Sequence, residues 1–495
     1  MTASTTFAPA PPVDAAVLAG WVATLGDPQA ACCDRRPTHG REPGERAVDA
    51  ERIDRLRVLE ELKAAASAAQ ARIAVDFDAS QRALQEAARV PASERGRGIA
   101  SQIGLARRES PVAAAQDLGM AKMLVAEMPH TLARLADGDL SEWRAKILVR
   151  ETAFLSRADR GIVDEQLCAD PARLDGLGNR AIEQQAKKLA YQLDPEAAIA
   201  RVAKAEKDRR VTCRPAPETM AHLTALLPVA QAVAAFAALR VAADAGKAAG
   251  DARSRQQLMA DTMVERVTGQ STAEGVPVEV DIILTDTTLL GDHDTDTDTD
   301  DEDIAYPAHR DHDSGSDDTE EPAVLSGFGP IPAEVARSLI KRAITDPSIT
   351  ASLRRLYRSP RSGELVAMDS RARTFPAGLA TFIRLRDQHC RTPYCDAPIR
   401  QTDHVVPHHA DGPTNEVNGQ GLCQACNLAK QGIRWRSRPM PDPGPHTVRI
   451  TTPTGHTYHS RAPAPPGTSR HHSSPPTGEP VSPLEAHFAS LILAS

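Results

Sequence analysis

At 495 residues the chain is too long for one ordinary hydrophobic core and predicts roughly two to four folded units with linkers. Aromatic residues make up only 3% while alanine is abundant, which argues against a β-sandwich and for helices packed through small side chains. The formal net charge of −8 hides an asymmetry: Asp292 to Glu321 carries fourteen acidic side chains against Arg310 alone, so the rest of the chain stands at +5, a mildly basic balance compatible with a phosphate-rich partner.

Residues 1–45 are rich in Pro and Ala and read as a flexible N-terminus. No secretory signal is expected, because the first basic residues, Arg35 and Arg36, come after Cys32 and Cys33 and no charged head precedes an apolar core. A helical domain with a small sheet is expected over 46–285. It opens with Ile53, Leu56, Leu59, Leu62, Ala66, Ala69, Ile73 and Phe77, whose intervals of three and four predict one long amphipathic helix. Ser110-Pro111 and Ser141 read as helix starts, with Trp143 as a core residue. His130 and His222 lack a metal-ligand partner at suitable spacing and read as ordinary residues. Alternation through Val211 and Cys213, at Leu223 to Leu227 and at Val278 to Leu284 predicts short strands around a helix with Met259, Met263 and Val267. The apolar run Ala225 to Leu239 falls short of the roughly 20 residues of a membrane span and is expected to be a buried helix, with no membrane partner.

Residues 286–325 read as an acidic disordered insertion. The alternating aspartates from Asp292 to Asp300 lack a glycine at the sixth position, where Thr297 stands, which disfavours a calcium loop. A basic helical connector is expected over 326–380, with Arg354, Arg355, Arg358, Arg361, Arg371 and Arg373. A compact domain over 381–440, a β-like extension over 441–460, a Pro/Ser/His-rich tail over 461–482 and a short helix over 483–495 complete the chain.

The chemistry concentrates in 381–440. Cys390-x4-Cys395 and Cys423-x2-Cys426 are two close thiol pairs, and four thiolates so spaced complete one tetrahedral structural zinc shell. Eight cysteines, four of them in this cluster, suit a reducing, cytoplasmic setting better than a disulfide framework. The 27 residues between Cys395 and Cys423 leave room for a hairpin carrying a site, and hold Asp403, His404, Pro407, Gly412, Thr414 and Asn418.

Here the sequence resembles the HNH endonucleases, whose β-β-α-metal fold carries an acidic residue and a His on the first strand, an Asn in the loop, and a His or Asn on the helix. Asp403-His404, Asn418 and Asn427 fall on those positions. Gly412-Pro-Thr414, Asn418-Gly-Gln-Gly-Leu-Cys423 and Thr452-Pro-Thr-Gly455 further resemble actinobacterial proteins that join this nuclease to a long N-terminal helical domain of unknown function, which residues 46 to 285 are similar to.

The fold class so implied is mainly α (α+β): a multi-helix N-terminal domain with a small sheet, then a zinc-stabilised ββα-metal domain. The resemblance implies a DNA endonuclease, with RNA left open as substrate. His404 would be the general base, Asn418 would hold the loop and orient it, and Asp403 and Asn427 would bind Mg²⁺ or Mn²⁺. Lys430, one helical turn past Cys426 and Asn427, with Arg434 and Arg436, forms a candidate backbone-binding strip beside Trp435, for which a solvated basic face is an equal reading. His408 and His409 read as exposed.

Two departures from the family pattern bear on activity: Asn427 stands where His is usual, and Asp411-Gly412 where Gly-Gly is usual. They motivate an alternative, a zinc-stabilised nucleic-acid-binding protein whose catalytic centre has decayed. Adjacent strand residues also point to opposite faces, so Asp403 and His404 converge only if the strand ends there, as Pro407 suggests. The N-terminal helices are a candidate surface for homo-oligomers.

Overall fold

The computed structural model describes residues 14–26, 43–270, 272, 282–283, 322–325, 328–345, 374–440 and 445–464. The acidic stretch Asp292 to Glu321, the arginines from Arg354 to Arg373, the tail beyond residue 464 and the helix expected at 483–495 lie outside the described residues. The chain divides into two units, Met1–Leu62 and Lys63–Ser495.

In the first unit a helix, α1 (Ala15–Gly26), occupies part of the segment expected to be flexible. Asp14 starts it: its Oδ1 accepts from Val17 N at 2.9 Å, satisfying one of the free N–H groups of the first turn. The long helix α2 (Pro43–Ala87) begins in this unit and runs on into the second. Pairs one turn apart, Arg52 with Asp49 at 2.7 Å and Arg57 with Glu61 at 2.9 Å, line its early surface.

The expected long helix is therefore present, but its packing face is a different one. Ala64, Ala68 and Ala71 are buried, whereas Leu59, Leu62 and Ile73 of the periodic stripe face solvent, Ile73 at 64% exposure. Alanine lets another helix approach the backbone closely, and the same face buries Asp78, which is held by Arg82 at 2.8 Å and Lys122 at 2.6 Å.

Six helices build the core on that face: α3 (Ile99–Arg107), α4 (Pro111–Glu127), α5 (Pro129–Asp137), α6 (Glu142–Thr152), α7 (Arg157–Cys168) and α8 (Asn179–Leu193). Ser110 and Ser141 cap α4 and α6 as expected, accepting from Ala113 N and Arg144 N. Leu124, Met128, Leu135, Leu148, Leu167 and Ile182 fill the interior, with Ala145, Ala186 and Ala190 between them. Asp164 is buried as the cap of α5, accepting from His130 N and Thr131 N at 2.8 Å each. Trp143 is not a core residue: it is 57% exposed in the first turn of α6, lining a surface groove with Arg150, Asn179 and Lys187 where no further element among the described residues covers it.

Beyond α9 (Pro195–Lys207), an antiparallel hairpin pairs β1 (Arg210–Pro215) with β2 (Ala221–Leu226), and α10 (Val229–Ala248) and α11 (Arg255–Thr268) follow. The expectation of a buried helix over the apolar run is corrected: in α10 only Ala243 is buried. Its length and composition alone reach those of a membrane span. However, Arg240 and Asp244 interrupt it, and Asp244 pairs with Arg255 of α11 at 3.0 Å, an arrangement suited to water.

The strand-like stretch near 280 is reduced to β3 (Ile282–Ile283), which pairs with β4 (Ala323–Leu325), itself paired with β5 (Gly329–Ile331). β4 stands inside the stretch expected as insertion to residue 325, so this ladder joins the two ends of the acidic segment. Ala323 and Ile331 are buried against Ala336 of α12 (Ala333–Thr345).

The C-terminal module starts with α13 (Ala377–Asp387) and continues through the antiparallel hairpin β6 (Gln401–His404) and β7 (Gly419–Leu422) into the short helix α14 (Gln424–Lys430). A three-stranded antiparallel sheet follows: β8 (Arg436–Met440), β9 (Thr447–Thr451) and β10 (Thr457–Arg461), with β9 in the middle. Thr452 to Gly455 is the turn between β9 and β10, with Gly455 at φ +88°. The protein is mainly α with small sheets, as expected.

A cysteine cluster and a candidate nuclease site

Four sulfurs form the base of the module. Cys390, Cys395, Cys423 and Cys426 are buried, and their Sγ atoms all lie within 4.8 Å of one another. Cys395 and Cys423 are 3.7 Å apart and Cys426 and Cys395 3.5 Å. A zinc ion with bonds of about 2.3 Å needs ligand sulfurs separated by about 3.8 Å, so this cage is the size of a tetrahedral shell. Local geometry builds it. The Cys395 N–H closes a turn onto Thr392 O, and Cys423 caps α14, its Sγ accepting from Cys426 N at 3.4 Å. Hydrogen bonds from Cys395 and Cys426 pull the Cys390 thiol down, while sharing protons with Cys390 pushes Cys395 up to about 12 and also raises Cys426. A cluster that favours one thiolate and keeps its neighbours as S–H donors needs a cation to become four thiolates. The residues present fit zinc.

The hairpin above this base carries Asp403 and His404 on its first strand. β6 ends at His404; the Asp403 carboxylate meets Lys430, while the His404 imidazole meets Thr414. The His404 ring is buried, with Nε2 2.8 Å from Thr414 Oγ1, its face 4.5 Å from the Phe375 ring and His408 5.7 Å away in an edge contact. Asp403 turns toward α14. His408 and His409 are exposed, as expected.

Asn418 clamps the loop between the strands. Its Oδ1 accepts from Val406 N at 2.8 Å, and its Nδ2 donates to Val406 O at 3.0 Å and Pro413 O at 2.8 Å. Val406 and Pro413 bracket the turn that brings Thr414 onto His404, so this side chain ties the two ends of that turn together. The Asp411-Gly412 pair fits the same turn. Asp411 takes a left-handed conformation at φ +61°, which Asp tolerates, while a Cβ at Gly412 would overlap Val406 O.

On α14, Asn427 Nδ2 donates to Gln401 Oε1 at 2.5 Å, and its Oδ1 is buried with no hydrogen-bond partner. An orphaned amide oxygen on a helix that packs against the strand carrying Asp403 fits a hard divalent cation such as Mg²⁺ or Mn²⁺. Lys430 departs from the expected role of reaching outward to a phosphate. Its Nζ donates to Asp403 Oδ2 at 2.5 Å and to the His404 carbonyl, and burial pulls its pKa below the usual lysine value. Arg434, Arg436 and Arg438 are exposed, whereas Trp435 packs on Val405, Val448 and Ile450. The aromatic thus belongs to the module's core, and the arginines form a solvated basic edge.

Several residues that hold the site carry no sequence signal of their own. Arg386, at the end of α13, donates to Asp387 Oδ1 at 2.8 Å, Glu416 O at 2.6 Å and Gly419 O at 2.8 Å; Asp387 Oδ2 accepts from Gly421 N at 2.7 Å. Arg391 donates to His446 O and Ser460 O, tying the sheet to the hairpin. Burial, reinforced by Arg386, holds the His446 imidazole down to about 4, so it is neutral and its Nε2 donates to Val417 O at 2.8 Å. The boundary expected at residue 381 therefore cuts through α13, a helix that grips β7 directly.

The helical body braces the back of α14, which packs on α3 and α4. Gly98, the residue before α3, has φ +78°, and a Cβ there would lie 2.6 Å from Trp435 Nε1 and 3.4 Å from Ala429 O. Thr454 Oγ1 adds a hydrogen bond to Gln102 Oε1 at 3.3 Å. Gly98→Val combines left-handed strain with a clash against the indole, so it is expected to destabilise by about 1–3 kcal/mol. Denaturant unfolding checks this; an unchanged midpoint would mean that α14 is not braced from behind.

Comparison with known proteins adds two matches. The domain of unknown function DUF222 matches residues 56–387, and the HNH endonuclease domain matches residues 390–432. Among curated proteins, uncharacterized protein Rv3776 of Mycobacterium tuberculosis is 36% identical over 139 residues, covering 28% of this chain and 24% of that protein. Uncharacterized protein Rv2100 of the same organism is 35% identical over 145 residues, again 28% and 24%. The alignment thus spans about a quarter of the length of these relatives. No solved structure matches.

Proposed function

Since the chain belongs to the DUF222 family and carries an HNH endonuclease domain near its C-terminal end, we propose that it is a metal-dependent endonuclease that hydrolyses phosphodiester bonds, with DNA as substrate. The observation that carries this reading is the hairpin and helix that set the buried His404 imidazole, the Asp403 carboxylate and the orphaned Asn427 amide oxygen on one zinc-type base.

The imidazole takes the proton of the attacking water. Nε2 already faces an oxygen, Thr414 Oγ1, and Phe375 restrains the ring, so the base is oriented before substrate arrives. Asp403 and Asn427 would hold a divalent ion that, when bound, stabilises charge on the phosphate and the leaving oxygen. Arg434 and Arg436 supply sequence-independent contacts to the nucleic-acid backbone. Cys390, Cys395, Cys423 and Cys426 would hold a structural zinc that ties β7 and α14 to the segment leading into β6. The domain partition read from the sequence assigns the helical body no chemistry, and its packing behind α14 supports a bracing role.

A second reading has one observation in its favour: the Lys430 ammonium already neutralises Asp403, as suits a nucleic-acid binder that has lost its catalytic ion. Incubating supercoiled plasmid with the zinc-loaded full chain separates the two. Nicked or linear product that requires Mg²⁺ or Mn²⁺ supports the enzyme; intact plasmid in both metals, with DNA binding retained, supports the binder.

A further inference from the structure

Two cations compete for one carboxylate. Asp403 is the single acidic side chain assigned to the catalytic ion, and its Oδ2 is 2.5 Å from Lys430 Nζ. That lysine side chain is only 14% exposed, and its second bond, to the His404 carbonyl, fixes the ammonium against the end of β6. The Asp403 carboxylate is itself only partly exposed, and the ammonium is the counter-charge that sits on it against the end of β6. A divalent ion bound at about 2.1 Å from a carboxylate oxygen requires the lone pairs that the ammonium now occupies and repels it at short range.

We propose that Lys430 is a built-in counter-cation that fills the divalent-ion position on Asp403 until the ion binds, and that binding releases its side chain from β6. The release moves a flexible cationic side chain out of the site at the moment the ion can engage a phosphate, which couples metal loading to the basic surface of Arg434 and Arg436. The inference rests on the nuclease reading, in which Asp403 is an ion ligand.

The test uses zinc-loaded full-length protein at one fixed pH. Mn²⁺ is titrated by calorimetry into wild type, Lys430→Met and Asp403→Asn, with zinc content and thermal unfolding as checks of folding. In parallel, Lys430 is labelled with an amine-reactive ester with and without Mn²⁺ and quantified by mass spectrometry, with the exposed Lys188 as control. Lys430→Met is expected to bind Mn²⁺ about tenfold tighter or more, since a hydrogen-bonded charge no longer has to be displaced. Mn²⁺ is expected to raise labelling of Lys430 and leave Lys188 unchanged. Tighter binding without a rise in labelling would overturn the proposal, because repulsion alone would then explain the affinity. Equal affinity of wild type and Lys430→Met, with weakened binding by Asp403→Asn, would also overturn it while leaving the ion site intact. No Mn²⁺ binding by wild type or Lys430→Met would remove both the proposal and Asp403 as an ion ligand.

Discussion

Cys423→Ser in the full chain is expected to abolish stoichiometric zinc binding and unfold the module around α14, with complete loss of any cleavage. The sulfur has two structural roles, cage ligand and cap of α14, and serine keeps only a weaker form of the second. Apolar packing around the cage itself is slight: the cluster's apolar neighbours are Leu422 and Ala397. Small zinc modules draw about 10–16 kcal/mol from the metal, as much as the roughly 5–15 kcal/mol by which whole domains are stable. The helical body should survive, because the core around Leu124, Leu148 and Ile182 is built from other residues. Metal analysis and far-UV circular dichroism decide the matter. Zinc lost with most helix retained is the expected pattern, and unaltered stability of the module in the serine variant would show that the thiols are inert.

His404→Ala is the second large effect. Loss of a positioned general base is expected to lower the single-turnover cleavage rate by about 10²–10⁴-fold. Zinc content and DNA affinity should be preserved, since the ring packs with Thr414, Phe375 and His408, and the zinc ligands and the basic edge are other residues. Measuring rate, zinc and binding on the same preparation separates loss of chemistry from loss of structure. A variant that still cuts at the wild-type rate would remove His404 from the mechanism.

The parts of this protein that were legible beforehand are those written in short intervals of chain. Two cysteine pairs with four and two residues between their members announce a metal cage because a tetrahedral shell needs such clips. Ser110 and Ser141 announce helix starts because a hydroxyl at that position reaches an N–H three residues on. Asp403-His404, Asn418 and Asn427 were singled out by likeness to a family motif, and they stand on β6, in the loop before β7 and on α14.

Other features could not be found that way. Amphipathic spacing announced α2, yet which of its faces is buried depended on the helices available to meet it, and the alanine face allowed the closer approach. An apolar run announced α10, but burial needs a partner surface, and among the described residues only Ala243 is covered. Arg386 and Asp387 hold β7 over more than thirty residues of chain, Gly98 meets Trp435 across two domains, and Lys430 points into the site instead of out of it. Chain-local rules such as caps, ligand spacing and helical period act within a turn or two and are encoded where they act. The partner of a face, the brace behind a helix and the counter-charge of a carboxylate are set by surfaces that meet only after folding, where desolvation and close packing select among pairings that a linear string leaves equivalent.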